Sequence, residues 1–359
     1  MEGRVVGSME VIKGTRLFNL DDRNAISECS SILTDGGLVA FPTETVYGLG
    51  ANALDAEAVN KIFTAKGRPA DNPLIVHIAS LSQLDKLVLK VPNQVKLLSD
   101  RFWPGPLTLV LKKKEIVPDI TTGGLDTIAV RLPDHKVALD LLNRCQLPVA
   151  APSANLSGRP SPTLAQHVVT DLGGRIEAII DGGQTGVGVE STVISLVEDR
   201  PTLLRPGGIT YQELTEVLGE VDIDSAVKAE LESENKSALA PGMKYKHYSP
   251  EADVILVEGE AERIAHKITK LADEYLAEGY QVGIMATEEN SNFYTAGQVQ
   301  VMGSRDKLSV ISANLFRLLR SFDDSGVDII LIEGVSNQGL GLAIMNRLRK
   351  AAGYQVIRV

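Results

Sequence analysis

Basic, amide and imidazole side chains gather in the segment KGRPADNPLIVHI, where a predicted helix stops at a Gly-x-Pro break and a strand begins. Lys66 and Arg68 enter the loop from the helix end, and Asn72 and His77 follow on the way into the strand. Arginine binds phosphate or carboxylate through a planar fork, and lysine does so as a mobile point charge. This pattern is typical of an anion site, although cations that stabilise a helix C-terminus and a histidine buried in a core fit the same residues.

The segment FPTETVYGLGANA carries Thr43 and Thr45 from a predicted strand towards a helix that begins at Asp55. Loops at strand ends are where α/β folds place ligand-binding groups. A tight turn in which both threonines satisfy backbone groups is the alternative interpretation.

Small polar side chains follow another predicted strand in APSANLSGRPSPT, which contains Ser153, Asn155, Ser157 and Ser161. Hydroxyl and amide groups in such a loop can line a phosphate or ribose pocket. For Ser161 taken alone, the pattern favours an N-cap of the helix expected from Leu164.

Ser191 in VESTVISL and Arg205 in LLRPGG complete the candidate set. Arg68, Arg131 and Arg205 each lie at a strand or loop edge beside proline or glycine, and such an array suits a substrate rich in phosphate and carboxylate. Ordinary surface ion pairing is the alternative, and it contributes little to stability.

Alternating strands and helices must position these segments, which predicts a layered fold of α/β or α+β type. Strands are expected at Leu38–Phe41, Leu74–Ile78, Leu107–Lys112, Thr127–Leu132, Val149–Ala151, Ala178–Ile180, Thr192–Val197 and Thr202–Leu204. Helices are expected at Asp55–Ala65, Asp134–Arg144 and Leu164–Leu172.

The chain changes character after residue 218, which predicts a second domain. Residues 219–250 are acidic at first and are interpreted as a linker that ends in PGMKYKHYSP. The aromatic and cationic residues of PGMKYKHYSP suggest a lid that closes over a ligand, and packing against either domain is the alternative. A β-α-β-α order with Val/Ile-rich strands follows and predicts a small Rossmann-like parallel sheet. The predicted domains are 1–218, the linker at 219–250, and 251–359.

Composition narrows the class of protein. The 359 residues carry a formal net charge of −10, whereas a protein that coats nucleic acid is usually basic. The two cysteines have no metal or redox spacing, and neither a secretory signal nor a membrane span is evident, so a cytoplasmic protein is expected. Neither a G-x-x-x-x-G-K-[ST] phosphate loop nor a dinucleotide-binding glycine motif occurs.

Taken in order, FPTETVYGLGANA, KGRPADNPL, FWPGPLTLVL, RLPDH, APSANLSGRPSPT, GVESTVI and LLRPGG resemble the YrdC-type threonylcarbamoyl-AMP synthases in their long, two-domain form. The resemblance covers nearly the whole chain. It implies an α/β fold with a YrdC-like twisted open mixed sheet around a concave active-site cavity, plus a smaller Rossmann-like parallel-sheet domain. It also implies that L-threonine, bicarbonate and ATP, with magnesium carried by ATP, give threonylcarbamoyl-AMP and pyrophosphate, and that a separate transferase then modifies tRNA beside the anticodon.

The same resemblance assigns roles to individual positions, and Lys66 and Arg68 become the candidate catalytic residues. L-Threonine would be held by Thr45, His77, Arg131, the backbone of Ala151, and Ser191. ATP would be held by Lys66, Arg68, Asn72, Thr127, Ser153, Asn155, Ser161, Arg205 and His247. Two alternatives stay open, namely an RNA-binding module of the same fold and a carbamoyl transferase.

Overall fold

The computed structural model describes residues 9–232 and 248–359, which divide into two compact units. The first runs to Ser157 and also includes Ser161–Gly186 and Glu190–Asp224. The second includes Gly158–Pro160, Val187–Val189 and the described chain from Ser225 onward. The domain boundaries expected at residues 218 and 251 stay a prediction.

The first unit is built on a sheet of twelve strands in the order β1-β2-β9-β3-β4-β8-β5-β7-β6-β10-β11-β12. The strands are β1 (Met9–Ile12), β2 (Thr15–Phe18), β3 (Val39–Phe41), β4 (Gly48–Asn52), β5 (Ile75–His77), β6 (Leu107–Lys112), β7 (Thr127–Arg131), β8 (Val149–Ala150), β9 (Ala178–Ile180), β10 (Thr192–Ser195), β11 (Thr202–Arg205) and β12 (Asp222–Ile223). Parallel and antiparallel pairs alternate irregularly, as between β5 and β7 and between β7 and β6. The expected mixed sheet is confirmed.

Helices cover this sheet and close two hydrophobic cores. They are α1 (Ala25–Thr34), α2 (Ala56–Lys66), α3 (Leu81–Leu87), α4 (Asn93–Phe102), α5 (Asp119–Thr122), α6 (Lys136–Cys145), α7 (Ala165–Leu172) and α8 (Tyr211–Leu218). Helices α1 and α6 pack over Val39, Phe41 and Val149. The larger core lies on the other side of these strands and contains Leu49 and Val76.

The second unit contains a sheet of five parallel strands in the order β15-β14-β16-β13-β17. Its elements are α9 (Ser225–Glu232), β13 (Asp253–Glu258), α10 (Ala261–Ala277), β14 (Val282–Thr287), a short 3-10 helix (Ser291–Phe293), β15 (Gln298–Gly303), α11 (Leu308–Ser325), β16 (Ile329–Glu333), α12 (Gly341–Ala351) and β17 (Val356–Arg358). Every residue of β14 and β16 is buried, as expected for strands covered by helices on both faces. The Rossmann-like prediction is confirmed.

The structure differs locally from what the sequence predicts at two places. The run Gly48–Asn52 forms β4 rather than part of a loop, and Gly50 is needed there because a Cβ would lie 2.8 Å from the ring of Phe41. Part of the segment interpreted as a linker is folded, since it contains β12 and α9. The acidic composition of this segment gave no sign of the short helix α9. Glu232, at the end of α9, is the last residue that the structure describes before residue 248.

Candidate active site

Strands β5, β7, β6 and β10 have two unlike faces. On one face Val76, Val130, Leu109 and Ile194 are buried in the larger core. Directly paired residues share a face and successive residues alternate between faces. The other face mixes apolar and polar side chains and is half-buried at Ile75, Thr127, Ala129, Val110, Val193 and Ser195. This second face is therefore the more accessible side of these four strands.

Arg131 is the charged group at one end of this half-buried face. It lies at the end of β7, directly opposite His77 at the end of β5. Its Nε donates to the carbonyl of Gly105 at 3.2 Å, and its Nη1 donates to the hydroxyl of Thr45 at 2.9 Å. Its Nη2 lies 2.7 Å from Oε2 of Glu44. These three contacts hold the guanidinium in one orientation, and the Arg131 side chain is only 4% exposed.

Two neutral imidazoles adjoin this ion pair. Burial, helped by the charge of Arg131, lowers the pKa of His77 to about 3. Burial also lowers the pKa of His135, and the negative charge of Glu44 partly opposes that effect. Both rings are therefore uncharged near pH 7, and the Nδ1 atom of each is buried with no hydrogen-bond partner among the described residues. We call this group the Arg131 cluster, which consists of Glu44, Thr45, His77, Arg131 and His135.

Lys66 joins helix α2 to the loop that contains the S-x-N motif. It is the last residue of α2, and the helix ends there because Gly67 adopts the left-handed conformation with φ of 62°. The Lys66 ammonium is buried and donates to the carbonyls of Ser153 at 2.5 Å and Asn155 at 2.6 Å. The structure therefore brings the K-x-R and S-x-N motifs together through backbone carbonyls, which fixes the shape of the loop.

Arg68 makes a different contact from Lys66, although both cations were expected in one loop. Its Nη2 donates to the carbonyl of Asn72 at 3.4 Å, and its side chain is half-buried. Asn72 itself is exposed. Arg68 and Asn72 therefore lie together in the segment between α2 and β5, where a bound anion can reach them.

Arg205 and Ser191 form a third polar group at the start of β10. Both Nε and Nη2 of Arg205 donate to the Ser191 carbonyl, at 3.1 and 2.9 Å. The Ser191 hydroxyl lies 2.7 Å from that of Thr108 on β6, the strand beside Arg131. The turn after Arg205 packs closely here, because a Cβ on Gly207 would lie 2.3 Å from the amide nitrogen of Thr192.

The expected N-cap role of Ser161 is wrong. Helix α7 begins after Leu164 without a side-chain cap. The hydroxyl of Ser161 instead donates to the buried carboxylate of Glu190 at 2.5 Å. The N-cap position of α7 is occupied by Leu164, three residues after Ser161, so the Ser161 hydroxyl lies outside the capping position.

The remaining expected site residues of the first unit lie elsewhere on the sheet. Thr127 begins β7, so it shares the half-buried face with Arg131 but lies roughly 13 Å along the strand from it. The amide of Ala151 donates to the carbonyl of Ile75 at 2.9 Å and places Ala151 beside β5. The half-buried face therefore has separate polar positions near its two ends.

The lid expected from PGMKYKHYSP falls largely on residues that the structure does not describe. Lys244, Tyr245, Lys246 and His247 lie outside the described residues. Tyr248 is described, and its ring lies 5.3 Å from that of Phe316 within the second unit.

Sequence reasoning missed Glu44, Gly105, Thr108 and Glu190, all of which contact expected site residues. Glu44 could have been found from the sequence, because it is the only charged residue in FPTETVYGLGANA. The role of Gly105 could not have been found, since any residue type can supply a backbone carbonyl. These residues orient the side chains that the sequence did identify.

Comparisons with known proteins match both parts of the chain. A family model described as telomere recombination matches residues 31–207, and one described as the threonylcarbamoyl-AMP synthase C-terminal domain matches residues 209–353. The threonylcarbamoyl-AMP synthase of Pyrococcus abyssi is 55% identical over 92% of this chain and 94% of its own length. The chain belongs to the threonylcarbamoyl-AMP synthase family. The resemblance read from the sequence is confirmed.

Other relatives agree with this family assignment. The threonylcarbamoyl-AMP synthase of Bacillus subtilis is 52% identical over 93% of this chain and 94% of its own length. The crystal structure of P. abyssi Sua5 complexed with L-threonine matches with a TM-score of 0.88 at 53% identity, covering 96% of this chain and 99% of that chain. A member of this family is an enzyme with a nucleotidyltransferase type of reaction.

Proposed function

We propose that this chain condenses L-threonine, bicarbonate or carbon dioxide, and ATP into threonylcarbamoyl-AMP and pyrophosphate. The observation that carries the proposal is the Arg131 cluster, which presents a fixed guanidinium at the half-buried face of the sheet. The relative solved with L-threonine supports an amino acid as one substrate. A guanidinium fork matches the carboxylate of an amino acid.

The reaction joins two anions, because a carbamate oxygen must attack the α-phosphate of ATP. The protein therefore has to supply positive charge and orientation rather than a nucleophile of its own. In this proposal Arg131 holds the threonine carboxylate, and Arg68 and Arg205 stabilise charge on the phosphates. Lys66 shapes the loop of Ser153 and Asn155 around the nucleotide, since its ammonium already donates to two carbonyls of that loop.

Magnesium is proposed to bind together with ATP, through its phosphates. The described residues contain no group of three or more His, Cys, Asp or Glu side chains placed to hold a metal ion. Magnesium prefers oxygen ligands and commonly binds through substrate phosphates with few protein carboxylates. Bound in that way it would neutralise phosphate charge, while Arg68 and Arg205 contact the remaining oxygens.

The product is proposed to pass to a transferase that modifies tRNA next to the anticodon. Such a pathway places the enzyme in the cytoplasm. Both cysteines are free thiols, and burial raises the pKa of Cys29 to about 12, so this thiol is unreactive. Within residues 9–232 and 248–359 the structure has no helix with the length and apolar character to cross a membrane.

The test is a pyrophosphate-release assay with the full chain. We expect turnover only when ATP, threonine and bicarbonate are all present, with mass spectrometry identifying the adenylate. Serine and N-acetylthreonine serve as matched controls, because one lacks the methyl group and the other the free amine. Equal turnover with serine, or turnover without bicarbonate, would refute the substrate assignment.

A further inference from the structure

Glu44 is a buried carboxylate whose hydrogen-bonding capacity is unused. Its side chain is 13% exposed, and both of its oxygens are buried without a hydrogen-bond partner among the described residues. The contact of Oε2 with Nη2 of Arg131 is an ion pair at 2.7 Å that lies outside hydrogen-bond geometry. A buried carboxylate with unfilled oxygens is costly, so such a group usually has a partner.

The neighbours of Glu44 do not supply that partner. The hydroxyl of Thr45 accepts from Arg131 and shares a hydrogen bond with Thr43. The Nδ1 atoms of His77 and His135 are themselves without hydrogen-bond partners. Among the described residues, Glu44 is the only carboxylate with buried oxygens that lack one.

The Arg131 cluster therefore sets one cation and one anion side by side, each with a buried polar atom lacking a hydrogen-bond partner. An α-amino acid carries the complementary pair, a carboxylate and an ammonium on adjacent carbons. Arg131 is suited to the carboxylate, which leaves Glu44 as the acceptor for the ammonium. Arg131 and Glu44 neutralise each other as an ion pair, but the oxygens of Glu44 still lack a hydrogen-bond donor, which a ligand ammonium would supply.

We propose that Glu44 binds the α-ammonium of the amino acid substrate and makes the site specific for a free amine. This inference rests on the proposed function, because it names a second recognition element for the same substrate. A hydrogen bond to a charged group contributes about 1.5 to 3 kcal/mol, so removing the charge should weaken binding roughly 10- to 140-fold.

The test measures binding by calorimetry without ATP, for L-threonine and for 3-hydroxybutanoate, which keeps the carboxylate and hydroxyl but lacks the amine. Glu44→Gln should bind threonine at least tenfold more weakly than wild type and 3-hydroxybutanoate no more weakly. Glu57→Gln is the matched control, since Glu57 is exposed on α2. Equal threonine affinity in Glu44→Gln and wild type would overturn the proposal.

The wild-type chain provides a second arm that does not depend on the folding of a variant. It should bind threonine at least tenfold more tightly than 3-hydroxybutanoate, and equal binding would also overturn the role of Glu44. A wild-type chain that binds no threonine and releases no pyrophosphate would instead remove the proposed function, and the inference with it. Circular dichroism of each variant shows whether a loss of affinity comes from unfolding.

Discussion

The Arg131 cluster of the first unit and a cluster around Glu333 in the second unit contain the same kind of buried Arg–Glu pair. In the second unit Glu333 is fully buried and accepts from four side chains. The hydroxyl of Tyr294 donates to Oε1, and Thr287, Asn290 and Arg305 donate to Oε2, at distances of 2.6 to 3.1 Å. We call these five residues the Glu333 cluster. In the Arg131 cluster, by contrast, Glu44 accepts no hydrogen bond from a described residue.

The location of the two clusters would suggest the opposite roles. The Glu333 cluster lies at the carboxyl ends of β14 and β16, the neighbouring parallel strands from which the chain continues in opposite directions. Doubly wound folds often bind ligands at such a position. Here the protein fills the position with its own donors, and of the buried side-chain atoms in this cluster only Nε of Arg305 lacks a partner. From this difference we expect the ligand site at the cluster with unfilled hydrogen-bonding capacity and not at the position that the fold favours.

The largest effect is expected from a substitution that breaks the Glu333 cluster. Glu333→Gln removes the counter-charge of Arg305 and should reduce the free energy of unfolding by about 3 to 5 kcal/mol, as for other broken buried pairs. Urea denaturation of the second unit measures the loss. Glu278→Gln, at an exposed position after α10, is the control and should change little. An unchanged urea midpoint for Glu333→Gln would mean that this cluster does not hold the fold.

A loss of activity with little loss of stability is expected in the first unit. Arg68→Ala removes a charge donor proposed to act on the phosphates, and such a loss costs about 3 kcal/mol, or roughly a hundredfold in kcat. Pyrophosphate release measures the rate, with exposed Arg101→Ala on α4 as the control. Near-normal turnover in Arg68→Ala would show that Arg68 does not act on the phosphates and would favour the alternative, in which it stabilises the C-terminal end of α2.

Sequence reasoning found most elements of the two sheets because their hydrophobic patterns are local. Strands such as Leu107–Lys112 and Ala178–Ile180 were predicted with their observed ends. It failed at β4, because a glycine-rich run has no strand pattern and owes its pairing to Phe41 and β8. Helix α9 was not predicted, because an acidic helix has the same composition as a linker.

The candidate site was predictable only in residue type. Arg131, Thr45 and His77 were named from motifs, and the structure brings them together with Glu44. Which hydrogen bonds they form depends on partners distant in the chain, such as the Gly105 carbonyl for Arg131 and Glu190 for Ser161. The pairing of Lys66 with carbonyls of residues 153 and 155 could not be predicted either, because every residue has a carbonyl.

The buried imidazole of His77 predicts a pH dependence of stability. Above about pH 6.5 His77 is neutral in both the folded and the unfolded chain. Below that value the unfolded chain binds a proton that the folded chain does not accept until about pH 3. The free energy of unfolding should therefore fall as the pH falls through this window, on the order of 1.4 kcal/mol for each pH unit.

Denaturation at pH 7 and pH 4.5 measures this effect, and His77→Gln is the comparison. The variant should lose less stability than wild type between the two values, whereas His266→Gln in α10 should behave like wild type. Parallel pH dependence in His77→Gln and wild type would show that His77 is accessible to protons in the folded state.

The smallest expected effects separate the two clusters most directly, because each follows the removal of one hydroxyl. Tyr294→Phe leaves Oε1 of Glu333 without its donor, and an unsatisfied buried acceptor should cost about 1 to 2 kcal/mol of unfolding free energy. The affinity for threonine should not change. Thr45→Val removes the hydroxyl that accepts from Arg131, which loosens the guanidinium and should weaken threonine binding more than it lowers stability. Urea denaturation and calorimetry on both variants give four values. If Tyr294→Phe changed threonine affinity and Thr45→Val changed only stability, the roles assigned to the filled and the unfilled cluster would have to be exchanged.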